Sequence, residues 1–362
     1  MRGKWKIMEP FKNIYNEQEI IKLANEIAKV YPELKKKAFI NSLINEDWEA
    51  KELKERIRAI SLSLGEFLEQ DYIKSLEILK QVHINFSGLF HLVFPDFVEV
   101  FGLDHYDASV EALRIFTSQC SSEFAVRPFL IKYPELIDLF KVWAKDENEH
   151  VRRLASEGCR PRLPWGIALK EFKKDPTKVL EVLELLKDDE SEYVRKSVAN
   201  NLNDISKDSS NIAKNIFKNW HGNSKNTDWI VKHGSRTLLK AGDKDVLKLF
   251  GYICDGIVIK NLQVDKRITM GEYLNFSFDI YSEKPLGKLR IEYKFGFLRQ
   301  NNKTNYKVFK ISEREVVEHK LRVQKSHHFK KVTTRKYYSG VQTLSIIING
   351  KEFETCEFEL IV

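Results

Sequence analysis

The sequence predicts a multidomain chain, α-helical over residues 1–255 and an antiparallel β-sandwich over residues 256–362. Three observations carry that expectation. The apolar period changes from three-to-four residues to two near residue 255, a helical motif recurs within the first part, and the net charge lies wholly in the second. A chain of 362 residues favours two domains over one. Its 43% hydrophobic and 12% aromatic content fits folded protein rather than disorder.

In the first part, apolar residues recur at helical spacing from Ile20, Leu23, Ala24 and Ile27 through to Val179, Val182, Leu183 and Leu186. Two stretches resemble each other: DENEHVRRLASEG (146–158) and DDESEYVRKSVAN (188–200). In each, an acidic lead-in precedes a Val-Arg pair, Val151-Arg152 and Val194-Arg195. Each follows a helix started by proline, Pro134–Trp143 and Pro176–Lys187. A weaker third copy runs from Asn211 to Lys240, with Trp229-Ile230 near the place of the valine. Val151 and Val194 stand 43 residues apart, the spacing of HEAT repeats. Stacked helix pairs of this kind form a solenoid with a concave surface.

After residue 255 the alternation is Leu274, Phe276, Phe278, Ile280, then Leu289, Ile291, Tyr293, Phe295, then Leu344, Ile346, Ile348. Turn signals separate these runs at Lys284–Gly287, Asn301-Asn302, Ser339-Gly340 and Asn349-Gly350, the last suiting a two-residue hairpin. About seven strands in this length suggest an immunoglobulin-like sandwich. The expected fold is thus a HEAT-like α-helical solenoid followed by an immunoglobulin-like antiparallel β-sandwich.

Charge and cysteine usage narrow the function classes. Residues 256–362 hold 20 Lys and Arg against 12 Asp and Glu, a balance of +8. The whole chain, at 60 against 52, is also +8, so residues 1–255 carry 40 of each and sum to zero. A neutral body with one basic appendage suggests a clamp for an anion, and nucleic acid fits best. No apolar run reaches the length of a membrane span, and Met1–Asn13 has no apolar core or small-residue cleavage site, so no signal peptide is expected. Cys120, Cys159, Cys254 and Cys356 are scattered without a CxxC pair, which speaks against a zinc site or a disulfide framework and fits a reducing cytoplasm. The pair His327-His328 lacks further ligands and is not read as a metal site.

Three segments carry chemistry that helix stacking does not need: SSEFAVRPFL (121–130), HVRRLASEGCRPRLPW (150–165) and SEYVRKSVANNLNDISKD (191–208). The loop Arg160–Trp165 offers two guanidinium groups and an aromatic face, stiffened by Pro161 and Pro164. Lys196, Asn200, Asp204 and Lys207 fall at helical spacing on one polar stripe. These segments resemble the AlkC-type DNA-alkylation-repair glycosylases, relatives of AlkD built from HEAT-like repeats. FPDFVEVFGLD (94–104) fits as well. The resemblance covers about two thirds of the chain, and the C-terminal part resembles the subset that carries an immunoglobulin-like domain.

The resemblance implies hydrolysis of the N-glycosidic bond of cationic alkylated bases (3-methyladenine, 3-methylcytosine and 1-methyladenine) with no metal or organic cofactor. Members are described as acting without extruding the target nucleotide. It also implies a cytoplasmic monomer acting on double-stranded DNA that contains alkylated bases, with no membrane and no obligate protein partner. A cationic base already leaves well, so the site must supply negative charge near the sugar and hold a water. The candidates are Glu123, Glu157 and Asp204, with Trp165 against the lesion or sugar. Arg152, Arg153, Arg160, Arg162, Lys196 and Lys207 are the expected DNA contacts of the helical part, and Lys320, Arg322, Lys325, Lys330, Lys331 and Arg335 those of the sandwich. Structural readings stand beside these. Glu157 is spaced for an intrahelical pair with Arg153. Glu123 suits a first helical turn, and Trp165 suits a buried loop anchor. Arg152 and Arg195 suit ties to the preceding turn. A scaffold that binds DNA or a protein without catalysis is the alternative function.

Overall fold

The computed structural model describes residues 9–300, 303–332 and 335–362, so the Asn301-Asn302 turn lies outside the described residues. The chain divides into two compact units, Met1–Gly234 and Ser235–Val362.

The first unit is helical. Among the described residues it runs α1 (Glu17–Val30), α2 (Lys36–Leu43), α3 (Leu53–Phe67), α4 (Tyr72–Val82), α5 (Val93–Phe101), α6 (Tyr106–Phe116) and α7 (Val126–Lys132). It continues with α8 (Leu136–Trp143), α9 (Glu149–Gly158), α10 (Lys170–Lys174), α11 (Thr177–Leu185), α12 (Glu192–Asp208), α13 (Ser210–Trp220) and α14 (Lys225–Gly234). The two matching motifs become α9 and α12; α9 packs on α8, and α12 packs on α9, α13 and α14. Val151 and Val194 are buried at equivalent places, and Ile230 takes the buried place in α14 while Trp229 beside it is exposed. The arginines after the valines also match. Arg152 Nη1 donates to the carbonyls of Asp146 (3.1 Å) and Glu147 (2.9 Å). Arg195 Nη1 donates to those of Asp189 (2.7 Å) and Glu190 (2.8 Å). The recurring arginine therefore closes the inter-helix turn that precedes it, satisfying carbonyls that the turn leaves open.

The second unit holds α15 (Arg236–Ala241), α16 (Lys244–Leu249) and the strands β1 (Val258–Val264), β2 (Arg267–Thr269), β3 (Tyr273–Tyr281), β4 (Gly287–Leu298), β5 (Thr304–Val316), β6 (Lys320–His328), β7 (Gly340–Ile348) and β8 (Lys351–Ile361). Two sheets form, ordered β1-β3-β6 and β2-β8-β7-β4-β5. The alternating residues of β3, β4 and β7 all face the buried core between them. The expectation of a wholly antiparallel sandwich needs one correction: β2 pairs with β8 in parallel, over three residues only. The hairpin at Asn349-Gly350 forms as expected, with φ of 48° and 78° and Ile348 paired to Lys351. Glycine is obligatory there for a second reason, since a Cβ on Gly350 would lie 2.3 Å from Leu247 Cδ1 and 3.1 Å from Gly242 Cα.

One buried pair in the first unit makes stability depend on pH. His83 Nδ1 and His91 Nε2 lie 3.2 Å apart, against the rings of Phe94 and Phe116. Burial, and then the neighbouring His83, pushes His91 down from 6.5 to about 3, and burial also lowers His83. The unfolded chain therefore binds the proton first. Stability is complete above pH 6.5 and is lost as pH falls from there toward 3. By pH 4.5 the expected loss is on the order of 2 kcal/mol, seen as a lower urea midpoint. The His91→Leu variant should lose much less over the same interval; equal pH dependence in the two proteins would refute the assignment.

Candidate functional site

The three motif segments meet through one alternating chain of charged side chains. Glu123, in the turn before α7, accepts from Arg153 Nη1 at 2.8 Å and from Nη2 at 3.3 Å. Arg153, on α9, also approaches Glu157 Oε1 at 3.7 Å. Glu157 Oε1 accepts from Arg160 Nη1 at 2.6 Å, and its Oε2 accepts from Ser197 Oγ of α12 at 2.7 Å. Arg160 Nε reaches Asp204 Oδ2 at 2.9 Å, and Asp204 Oδ1 accepts from Lys207 Nζ at 2.9 Å. The order is Glu123–Arg153–Glu157–Arg160–Asp204–Lys207, three acids alternating with three bases.

The chain is largely buried. Glu123 is 9% exposed, Glu157 5%, Arg160 7% and Asp204 1%. Burial pulls Arg153 down, but Glu123 and Glu157 hold its guanidinium above the ordinary range. Arg160 is likewise raised by Glu157 and Asp204 against its burial. Arg153 also lies over the Tyr193 ring, 4.8 Å from the centroid, and donates to Ser121 Oγ at 2.8 Å. The close partners of Glu157 thus lie outside its own helix, and its intrahelical contact with Arg153 is the longest link. Glu123 faces Arg153 rather than a helix end. Asp204 sits near the C-terminal end of α12, where a negative charge is unfavourable, and Arg160 and Lys207 offset it.

The loop between α9 and α10 hangs on a buried arginine. Arg127, on α7 and fully buried, donates through Nη1 to Gly158 O (2.9 Å), through Nη2 to Arg160 O (2.8 Å) and through Nε to Ile167 O (2.6 Å). Burial lowers its guanidinium to about 10, with Cys159 the largest opposing influence. A Cβ on Gly166 would stand 3.2 Å from Arg127 Cδ, so the loop passes over Arg127 with no room to spare. Trp165, at the crest, has φ of 65° and is 63% exposed. The buried-anchor reading of Trp165 is thereby corrected: Leu163, 6% exposed, is the residue tucked in. Trp165 lines a groove of about 480 Å³ with Phe124, Ile57 and Leu62.

The expected DNA contacts divide by what already holds them. Arg152 is bound bidentately to Asp189 at 2.7 and 3.1 Å besides its two carbonyls, and Arg153 and Arg160 are committed to the chain above. Arg162 pairs with Asp208 at 2.7 and 2.6 Å but stays on the surface. Lys196 is exposed. In the second unit Arg322 reaches Asp279 at 3.2 Å and Lys320 reaches it at 3.9 Å. Among the described residues, Lys325, Lys330, Lys331 and Arg335 have no carboxylate partner, and Arg335 lies 4.1 Å over the Phe297 ring. His327 turns inward, bonded to Tyr293 Oη at 2.7 Å, whereas His328 stacks outward on Tyr273, so the two imidazoles do not converge. No group of His, Cys, Asp and Glu suited to a metal ion occurs among the described residues, and no helix among them is long and apolar enough to cross a membrane.

The segment that holds this charge chain matches a known family. Residues 114–238 match the model for DNA alkylation repair enzymes, and residues 258–362 match that for the C-terminal immunoglobulin-like domain of the uncharacterised protein YhaZ. The AlkC alkylpurine DNA glycosylase of Pseudomonas fluorescens, solved bound to DNA containing an abasic-site analogue, is 34% identical over 98% of this chain and 100% of that one, with a TM-score of 0.94. The chain belongs to the AlkC family of DNA-alkylation-repair proteins. YhaZ of Bacillus subtilis (strain 168) is 46% identical over 98% of this chain and 100% of its own length. AlkD2 of Streptococcus mutans is 24% identical over 59% of this chain, with a TM-score of 0.41. In this AlkC-family chain, the matched span contains every member of the ion chain.

Arg127 and Ser197 are site residues that the charge pattern alone does not single out, although both stand inside the three motif segments. Their signal is a polar residue on the apolar face of a helix: Arg127 beside Val126 and Leu130, Ser197 beside Val194 and Val198. Arg127→Met should leave the buried carbonyls of Gly158 and Arg160 and the partly buried one of Ile167 without their donor and destabilise the protein by roughly 3 kcal/mol, measured by urea unfolding. Arg195→Ala, losing donors to a partly exposed turn, should cost less than half as much; a smaller loss at Arg127 than at Arg195 would overturn this ranking.

Proposed function

We propose that this protein is a DNA glycosylase that hydrolyses the N-glycosidic bond of cationic alkylated bases in duplex DNA, with 3-methyladenine, 3-methylcytosine and 1-methyladenine as substrates. The observation that carries the reading is three carboxylates from three separate segments joined in one ion chain beside an exposed tryptophan. The C1′–N bond breaks with its electron pair going to the base, which leaves neutral. Positive charge grows on the sugar, water adds at C1′ and loses a proton, and an abasic site remains. Carboxylates held by charge-assisted bonds are preorganised for that developing charge. Glu123 is the most exposed of the three side chains and therefore the first to meet the sugar or its water. Glu157 and Asp204 hold the arginines that hold Glu123 and the loop. A protein that only bound DNA would gain nothing from acids near phosphate.

Glu123→Gln and Asp204→Asn should each reduce single-turnover release of methylated bases by about 10²–10³-fold, with binding to undamaged duplex unchanged or tighter. No metal is added in this assay. Urea unfolding of each variant separates lost chemistry from lost fold, because removing one partner of a buried ion pair is destabilising. Wild-type release by both variants would eliminate the catalytic assignment.

We further propose that the second unit clamps the DNA backbone. The +8 balance of residues 256–362 supports this, and so does the set of cations without carboxylate partners on and after β6. In the full-length protein, replacing Lys330, Lys331 and Arg335 by Gln should weaken binding to any duplex and make the log–log salt dependence shallower by about 0.9 per phosphate contact removed. The Lys320→Gln, Arg322→Gln pair should change the slope less, because Asp279 already offsets both charges. An unchanged slope in the triple variant would count against the clamp.

A further inference from the structure

We propose that Lys54 is a positioning residue for Trp165. The proposal rests on the reading of Trp165 as the residue that meets the lesion. Lys54 lies 111 residues upstream of Trp165, on α3, yet its Nζ donates to the Trp165 carbonyl. The same ammonium sits 5.1 Å from the centroid of the Phe124 ring, and Lys54, Phe124 and Trp165 line one groove. One side chain thus joins three parts of the first unit: α3, the turn that carries Glu123, and the crest of the α9–α10 loop.

Two features show that this placement has a cost which the contact offsets. Lys54 is the second residue of α3, where a cation opposes the helix dipole. Trp165 is held at φ 65°, a left-handed conformation unfavourable for a bulky residue, which persists only when its surroundings enforce it. The chain beyond it is fixed by Gly166 N–H donating to Leu163 O at 3.2 Å and by Arg127 beneath. The Trp165 carbonyl is the point at which Lys54 secures the exposed side. Without that donor the peptide plane is free to turn, Trp165 relaxes toward negative φ, and the indole leaves its place at the groove. An indole that must meet a sugar or base within about 1 Å loses rate steeply when displaced.

The competing role for an exposed lysine here is a phosphate contact, and the two are separable in the full-length protein. Incorporated 5-fluorotryptophan gives one fluorine resonance for each of the six tryptophans, with that of Trp165 assigned by Trp165→Phe. Lys54→Met should shift or broaden the Trp165 resonance and leave the other five in place, and Lys54→Arg should restore it. Single-turnover excision at saturating enzyme should fall about tenfold or more in Lys54→Met and recover in Lys54→Arg. The salt slope for undamaged duplex should stay unchanged. Combined with Trp165→Ala, Lys54→Met should add no further loss, as expected of two residues acting through one another. An unmoved resonance overturns the placement. A slope shallower by about 0.9 with full saturated rate identifies a phosphate contact instead. Wild-type excision by Trp165→Ala, with the resonance still moved by Lys54→Met, removes the lesion-contacting reading and with it the catalytic role of Lys54, while leaving the placement in force.

Discussion

A buried charge must be paired or hydrogen-bonded, and where the three motifs meet the first unit satisfies that constraint with one alternating chain. Each interior member is shared: Arg153 between Glu123 and Glu157, Glu157 between Arg153 and Arg160, Arg160 between Glu157 and Asp204, and Asp204 between Arg160 and Lys207. Uncompensated, any one of these ions would cost several kcal/mol to bury. Joined in sequence, three acids and three bases sum to zero, so the helical unit holds three carboxylates together without a net negative field around them. The acids and bases therefore come as a set, and the three motifs that contain them depend on one another although 30 to 44 residues separate the partners that cross between segments.

The same economy explains the loop above the chain. A tight turn with two prolines and a left-handed tryptophan leaves carbonyls that no helix or sheet can satisfy. Arg127 serves three of them with one planar group, which an ammonium, a compact point charge, does not match in geometry. Because Arg127 holds Arg160 by its backbone while Glu157 and Asp204 hold it by its side chain, loop conformation and ion chain are one mechanical object. Strain concentrated at Trp165 is then tolerable, since the residues on both sides are overdetermined.

What the sequence disclosed follows from the range over which each interaction acts. Period and turn chemistry are local, so the helices, the strands of the sandwich and the Asn349-Gly350 hairpin were legible. The Val-Arg recurrence was legible both as a repeat and as the tie that Arg152 and Arg195 make. Partners distant in sequence were not. Nothing in Arg160 announces Asp204, nor does anything in Lys54 announce Trp165. Exposure was equally hidden, because an Arg-Pro-Trp loop has the same composition whether its ring faces in or out. The three-residue β2 is too short to show a period, and so its parallel pairing with β8 could not be read. The helical pattern of α15 and α16 says that they are helices but not that they pack with the strands of the second unit rather than the repeats before them.

Formal charge overstates what the second unit can offer a ligand. Asp279 already answers Lys320 and Arg322, Glu292 and Glu313 answer Arg290, Glu352 answers Lys294, and Glu359 answers Arg267. What remains is concentrated rather than spread. Burial, then Arg335 and Lys240, hold the Lys307 ammonium below its ordinary value. Burial, then Lys325 and Arg335, push His327 down to about 4. Arg335 neighbours both Lys307 and His327, so cations without carboxylate partners gather at one place in the second unit. For the proposed clamp, the formal balance of residues 256–362 matters less than where its unpaired cations lie: Lys325, Lys330, Lys331 and Arg335 fall within eleven residues of one another.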